Sequence, residues 1–419
     1  MVLSRIVQLL VAAACIGCGG ETASALSGRD EGAAPVAKGD RAAIVDVMQT
    51  AVKQQGLPNC WIYATAGWAE SLHARATGDQ VDVSEAYWTF LHWFEQLVEP
   101  GNTGEVSHAG SWTRIRSLIS KYGLMGEREF LGEDRDPLSP RQTTQRSIAR
   151  ELRQSIASGA LSTAEARSNR TLVRDELLRL WKIPPETIEV LTAAFGADMT
   201  RTFSTHSGDD QSPEFAAVDD PARGLFSPQS FKVRYSSTPG GELETKALGE
   251  AIFEWGLVNY NNGGHDPRIF QRRVQRAMHD GLPVIMVWFI DHDALDWRGS
   301  FSLTTRAPRK YPLHFSVLHD YQAKVSGIGT VPIGPVTLTP SLRAALLSDD
   351  TTIDFFRTKN SWGILARDMN FPMPGYYDLH WSYLNGSVKQ CATRADGAAI
   401  PSSCRPTTPL QGVILPFGY

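Results

Sequence analysis

The stretch Gln54-Gln55-Gly56-Leu57-Pro58-Asn59-Cys60-Trp61 constrains this chain most. Its Gly, Pro and Asn make a turn, and the turn ends on a cysteine. From Trp61 onward Ile62, Ala66, Ala69 and Leu72 recur at helical spacing, and Gly78 supplies a stop. The pattern places Cys60 at or next to a helix N-terminus. Unpaired backbone N–H groups and the positive end of the helix dipole favour an anion there, so a thiol ionises more easily. Gln54, six residues upstream, can offer an amide N–H to a developing oxyanion. Read alone, a Cys-Trp pair is ordinary core material, since free cysteine is among the most buried residue types. The rest of the chain must decide between the two readings.

The N-terminus is a leader rather than part of a fold. Arg5 precedes the apolar run Ile6 to Ala14, which is too short to span a membrane as a mature helix. Val11-Ala12-Ala13-Ala14-Cys15 resembles a bacterial lipobox, which makes Cys15 the expected lipidation site and anchors the mature chain to a membrane. Cys18 is a weaker candidate, and ordinary secretion after a small-residue site is the alternative. Residues 1–18 are therefore read as signal peptide and 19–40 as a flexible tether rich in Gly, Ala and Ser. Of five cysteines, two belong to the leader. Cys391 and Cys404 bracket a short polar loop, and export predicts a disulfide between them. Cys60 is left over, and an unpaired cysteine in an exported protein suggests a reactive thiol.

Lys+Arg 41 against Asp+Glu 45 leaves no basic surplus that would point to nucleic acid. Helical patterns fill the first half. Ser84 caps a helix through Leu97, Trp112 opens another that stops near Gly123, and Ser139-Pro140 opens one through Ile156. Ser162 with Glu165 reads as a capping box for a helix through Trp181, which Pro184-Pro185 breaks. Residues 203–225 read as a surface loop. In the second half Ile269 to His279 is helical, and Val284–Phe289, Phe315–Tyr321, Asp354–Lys359 and Tyr376–Leu379 are strand candidates. A Gly/Pro-rich loop runs from Gly327 to Pro340. A helical half followed by a strand-rich half predicts an α+β fold.

A cysteine nucleophile needs a base, and the base needs something to orient it. His314 heads one apolar strand, and Asn360 in Asn360-Ser361-Trp362-Gly363 ends another. An Asn carbonyl can hold one imidazole N–H and aim the other nitrogen at sulfur. Trp362 would then shield that hydrogen bond from water. Both pieces also have plainer readings, as a core histidine and as an Asn-Gly turn. Asp291-His292-Asp293 has metal-ligand residue types but no partner motif, and reads as a polar loop.

Gln, Cys-Trp, His and Asn-Ser-Trp-Gly, in that chain order, resemble the papain-like cysteine peptidases. The nearer resemblance is to their bleomycin hydrolase and aminopeptidase C branch. It rests on the Gln54–Cys60 spacing, on Leu57 where papain has a disulfide cysteine, and on Ser84-Glu85-Ala86-Tyr87. Further support comes from Gly110-Ser111-Trp112, Lys121-Tyr122-Gly123-Leu124, Pro184-Pro185-Glu186-Thr187 and Ile414-Leu415-Pro416. The resemblance covers the chain from about residue 50 onward. It implies a two-lobed α+β fold, with residues 41–255 as a helical lobe carrying Cys60 and an insertion at about 130–230, and residues 256–419 as a β-rich lobe. It implies Cys60, His314, Asn360 and Gln54 as catalytic, Gly110, Ser111 and Trp362 as substrate-binding, peptide or protein substrates, and no metal or organic cofactor. Three departures stand out: Phe315 follows the histidine where the branch has a small residue, the His314–Asn360 stretch is long, and Gln55 rivals Gln54 as oxyanion residue. In that branch the segment after Leu-Pro lies in the cleft and its carboxylate receives the substrate amine. Here only Phe417, Gly418 and Tyr419 follow Pro416, so the tail is expected to fall short and leave the cleft open at both ends. Other readings are an inactive papain-like lipoprotein that binds peptides, and a structural envelope lipoprotein.

Overall fold

The computed structural model describes residues 49–132, 141–203, 216–260, 266–302, 307–334, 336–365, 368–369, 371–394 and 398–419. The leader, Cys15, the tether, and Ser139-Pro140 lie outside the described residues. The fold is α+β, with helices first and a large sheet second.

Helix α1, Cys60–Thr77, is the centre of the molecule: every residue from Cys60 to Ala74 is buried. A helix buried all round must be apolar or small-residued on every face, and Ala64, Ala66, Gly67 and Ala69 meet that demand. Gly67 marks the closest approach to the sheet, since a Cβ there would stand 3.2 Å from Lys359 Nζ and 3.8 Å from Val317. Gly78 ends the helix in the left-handed conformation, at φ 84°. Helix α2, Glu85–Leu97, is capped as expected by Ser84, whose hydroxyl accepts from Tyr87 N at 3.0 Å. Helix α3, Trp112–Tyr122, is capped by Ser111.

Residues 141–195 are largely helical, with α4 over Arg141–Ser158, α5 over Arg170–Trp181 and α6 over Pro185–Phe195. The expected Ser162 capping box is off by a residue. Thr163 caps the short helix Ala164–Ser168, and Asn169 then caps α5. Two good cap residues six apart split what periodicity reads as one helix. Pro185 breaks the run and also opens α6, where its missing N–H costs nothing.

Among the described residues the main sheet has eight strands: β1 Trp255–Asn259, β2 Ile285–Phe289, β3 Ser300–Phe301, β4 Leu313–Val325, β5 Gly329–Val331, β6 Thr352–Lys359, β7 Tyr376–His380 and β8 Leu410–Pro416. Its order is β1-β8-β2-β4-β6-β7-β3, with β5 paired to β4. The pairings along β1, β8, β2, β4, β6 and β7 are antiparallel. Between β1 and β2 in the chain lies helix α7, Pro267–His279, as the periodicity predicts. The stretch from Gly327 to Pro340 is not all loop, because β5 within it adds an edge to β4. The last strand is the larger surprise: β8 sits inside the sheet, between β1 and β2. The boundary at residue 255 is also not a clean partition. The chain just before α1 crosses to the sheet side, where Gln54 bridges Trp362 and Gln55 N donates to Ser361 O at 2.7 Å.

Candidate active site

Cys60 is the first residue of α1 and is 4% exposed. Its cap residue Asn59 makes no side-chain cap to the helix and instead donates through Nδ2 to Thr89 Oγ1 at 3.0 Å. The helix therefore meets the site without a side-chain oxygen on its first amides, which leaves its positive end directed at whatever anion forms there. The thiol lies 4.0 Å from the carbonyl oxygen of Leu313, the residue before His314.

His314 is fully buried on β4 and pairs with Trp288 of β2 in the sheet. Its Nε2 is 2.8 Å from Asn360 Oδ1, so Nε2 carries the proton it donates to that oxygen. Nδ1 has no hydrogen-bond partner among the described residues. This is the division of labour expected of a base: one nitrogen held, the other available. Asn360 follows the end of β6, and its Oδ1 also accepts from Ser361 N at 2.7 Å, which fixes the amide. Trp362 lies over the pair, with its ring centroid 5.1 Å from that of His314, and Trp288 meets the imidazole edge-on at 5.4 Å. Burial pushes the His314 imidazolium down to about 4; the Asn360 bond works the other way and His292 works with burial. A buried imidazolium of that kind needs a counter-charge. His319, the other histidine of β4, meets Tyr376 with ring centroids 5.1 Å apart.

Gln54 and Gln55 are distinguished by their surroundings. Gln55 is buried, donates to Leu57 O at 2.9 Å and accepts from Ser361 Oγ at 2.5 Å, so both ends of its amide are used in holding the turn. Gln54 is half-buried beside Gly363, where a Cβ would come within 2.9 Å of its side chain. Gly363 has φ 75°, so two independent reasons demand glycine there. The segment carrying Gln54 is pinned by Lys53, whose Nζ reaches Glu70 of α1 at 2.6 Å and Glu85 of α2 at 2.7 Å. Burial opposes the charge on Lys53, but Glu70, Glu85 and Asp82 outweigh it and hold its pKa well above the usual range. The sequence reading missed this cluster. A Lys beside the motif, with Glu at cap-adjacent and mid-helix positions that turn out buried, was the available signal.

Gly110 lies flat against Trp61, the residue after Cys60: a Cβ at that position would stand 2.3 Å from the indole. Trp61 Nε1 donates to His108 O at 2.9 Å and ties the same loop down. Ser111 is exposed, and its hydroxyl is engaged as the α3 cap, accepting from Arg114 N at 3.2 Å. Asp291-His292-Asp293 is a polar turn as expected, with Arg309 reaching Asp293 at 2.8 Å and Asp291 at 3.5 Å. Among the described residues no group of three His, Cys, Asp or Glu is placed to hold a metal ion. The expected disulfide Cys391–Cys404 is present. The hairpin it closes also holds the approach to β4, since Gln390 bonds both N and O of Tyr311, at 2.7 and 3.0 Å.

Residues 417–419 lie away from Cys60. Strand β8 passes Trp288, at the level of His314, and runs on past Ile285 in the opposite direction. Tyr419 ends against α7, where Arg273 donates to its carbonyl oxygen at 2.7 Å and its hydroxyl donates to Asp280 at 2.7 Å.

No protein-family model matches the chain, and no curated protein matches it. Among solved structures it is similar to PepW from Lactobacillus rhamnosis, at 11% identity and TM-score 0.42, over 91% of this chain and 82% of that one. It is also similar to a chain from a study of the mite allergens Blo t 1 and Der p 1, at 14% identity and TM-score 0.33, over 79% of this chain and 62% of that one.

Proposed function

We propose that this protein is a cysteine peptidase that hydrolyses peptide bonds through a thioester acyl-enzyme. The observation that carries the reading is the His314 Nε2–Asn360 Oδ1 bond of 2.8 Å, with Nδ1 unpartnered, on the strand whose Leu313 carbonyl faces the Cys60 thiol. Cys60 thiolate attacks the carbonyl carbon and forms the C–S bond. The Cys60 backbone N–H and the Gln54 amide hold the oxyanion. His314 imidazolium gives its proton to the leaving amine as the C–N bond breaks. It then takes a proton from water, which attacks the thioester and releases the acid and the thiol. Asn360 keeps the imidazole oriented, and Trp362 excludes water from that bond. Gly110 and Ser111 border the acyl side of the cleft. The leader motif supports an exported protein held at a membrane by a lipid on Cys15. The placement of residues 417–419 against α7 supports internal cleavage of blocked peptides rather than strict removal of N-terminal residues.

The test is cleavage-site profiling of a mixed peptide library by a soluble form begun after the tether, with and without N-terminal blocking groups. Cleavage that disappears on alkylation of Cys60 supports the reading. A folded protein that cuts nothing, and whose Cys60 reacts no faster than a free cysteine peptide, sinks it and favours a peptide-binding lipoprotein. Refusal of every blocked peptide overturns the internal-cleavage part alone.

A further inference from the structure

The start of β4 is held by a side chain as well as by the sheet. Leu313, whose carbonyl oxygen is 4.0 Å from the Cys60 thiol, pairs with Phe289 at the end of β2, and Ile290 N donates to Pro312 O at 2.9 Å. The register with β6 begins only at Val317, so Leu313 to Ser316 are paired on the β2 side alone. At Tyr311, which is buried, the partner changes. Its N–H donates to Gln390 Oε1 at 2.7 Å, and its carbonyl accepts from Gln390 Nε2 at 3.0 Å. One side-chain amide thus does for Tyr311 what a neighbouring strand residue would do. The Gln390 backbone lies beside Arg309, whose N–H donates to Lys389 O at 3.3 Å and whose carbonyl accepts from Cys391 N at 3.0 Å. Gln390 belongs to a short hairpin, Val388–Gln390 against Arg405–Thr407. It has three pairs, and one of them sets Lys389 opposite Pro406, which has no N–H to give the ladder. A two-stranded ribbon of that size has little stability of its own in water. The next positions along are Cys391 and Cys404, and the disulfide joins them. The hairpin is therefore closed covalently right beside Gln390.

We propose that Gln390 is a positioning residue for His314, and that the adjoining disulfide makes this positioning sensitive to thiol reductants. The proposal rests on the peptidase reading above. In that reading His314 exchanges protons with the Cys60 thiol and the leaving amine, and proton transfer tolerates only small displacements. Tyr311 stands three residues before His314, roughly 10 Å of extended chain. Between them Pro312 and Leu313 are tied to the end of β2 only, so freedom gained at Tyr311 passes directly to the imidazole. Gln390 removes that freedom, and the disulfide keeps Gln390 in place. Reduction by a dithiol breaks the S–S bond and leaves two cysteine thiols, while the reductant closes to its own disulfide; two electrons and two protons pass to the protein. The hairpin then relies on its few hydrogen bonds, and the grip on Tyr311 loosens.

The test uses the soluble form begun after the tether, prepared with Cys60 free, and three variants assayed well below their unfolding midpoints. Gln390→Met keeps the bulk of the side chain and removes both bonds to Tyr311. Cys391→Ala/Cys404→Ala removes the disulfide, and the third variant combines all three substitutions. Gln390→Met should lower kcat by roughly three- to thirty-fold while KM stays within about two-fold. Iodoacetamide labelling of Cys60 at a pH near 6 should slow in parallel, which a merely structural role would not produce. The disulfide-free variant should show the same pattern more weakly. The combination should be close to Gln390→Met alone, because both changes act through one contact. Wild type in excess dithiothreitol, once mass spectrometry shows the 391–404 bond opened, should fall to the rate of the disulfide-free variant, which the dithiol should leave unchanged. Wild-type kcat and labelling in Gln390→Met, a loss confined to KM or to melting temperature, or losses that multiply in the combination overturn this inference and leave the peptidase reading standing. A wild type that turns over no peptide overturns both.

Discussion

Cys60 is the first residue of an 18-residue helix whose own geometry places it: cap, dipole and periodicity all lie within twenty residues of the thiol. His314 is held otherwise. Its strand is paired on one side to residues 285–289 and on the other to residues 352–359, and its oxygen partner Asn360 lies 46 positions along the chain. Gln54 resembles the histidine in this respect, being next to the helix in sequence but bridged to Trp362 in space. The proposed nucleophile is thus placed by local structure, and the proposed base and oxyanion amide by pairings between distant segments. Damage far from the site should therefore reach His314 and Gln54 before it reaches Cys60.

The largest effects come from removing the groups themselves. Cys60→Ser should lower kcat/KM by on the order of 10⁴ or more while leaving the fold intact, since one buried thiol becomes a hydroxyl of similar shape. In the native protein, iodoacetamide should label Cys60 well below pH 7, because thiols paired with histidine at a helix terminus ionise at roughly 3–4. Labelling that rises only above pH 8 would mean that the helix end and His314 do not act on the sulfur.

The same scale applies to the two histidines of β4. His314→Gln should remove about 10²–10⁴ of the rate, the usual worth of a positioned acid–base group. His319→Gln should leave activity within a few-fold, because its ring meets Tyr376 rather than the site. A reversed order of the two variants would break the assignment of the base.

The two glutamines sharpen the contrast further. Gln54→Ala should cost about 10²–10³ in kcat, as loss of one oxyanion donor does. Gln55→Ala removes a buried amide that bonds Leu57 and Ser361, so it should lower stability by about 1–3 kcal/mol. Denaturant midpoints and kcat measured on both variants should separate the two roles. Similarly, removing Leu415 to Tyr419 would cut into the interior strand β8 and cannot serve as a test of the tail. Deletion of residues 417–419 alone is the sound version, and it should leave the ratio of blocked to unblocked cleavage almost unchanged.

A smaller effect concerns acid. With the thiolate removed in Cys60→Ser, His314 is a buried neutral imidazole whose folded pKa is pushed from 6.5 to about 4. The sign is that of a depressed pKa: the unfolded chain takes up the proton first, so stability is full above about 6.5 and falls as pH drops toward about 4. At about 1.4 kcal/mol per unit, the loss approaches about 3 kcal/mol. Adding His314→Gln to Cys60→Ser should flatten that part of the stability–pH curve, which isolates His314 from His92, His108 and His279, whose pKa values are also lowered. Identical curves for the single and double variants would show that His314 is solvated.

Much of this was legible in the chain itself. The Cys60 helix, the Ser84 cap, helix α7, and strands β2, β4, β6 and β7 follow from periodicity and cap residues, because those signals act over a few residues. The pairing of Cys391 with Cys404 followed from spacing and the leader. Which histidine to propose as the base could be named from the motif order. That Nε2 meets Asn360 while Nδ1 stays open is a property of sheet register. So is the entry of β8 between β1 and β2, which gives a closing segment a central place that no local pattern announces. The Lys53–Glu70–Glu85 cluster, the choice between Gln54 and Gln55, and the grip of Gln390 on Tyr311 also belong to tertiary structure alone. Each depends on which distant segments share a layer, and a sequence encodes that through burial and pairing across the whole chain rather than through neighbours along it.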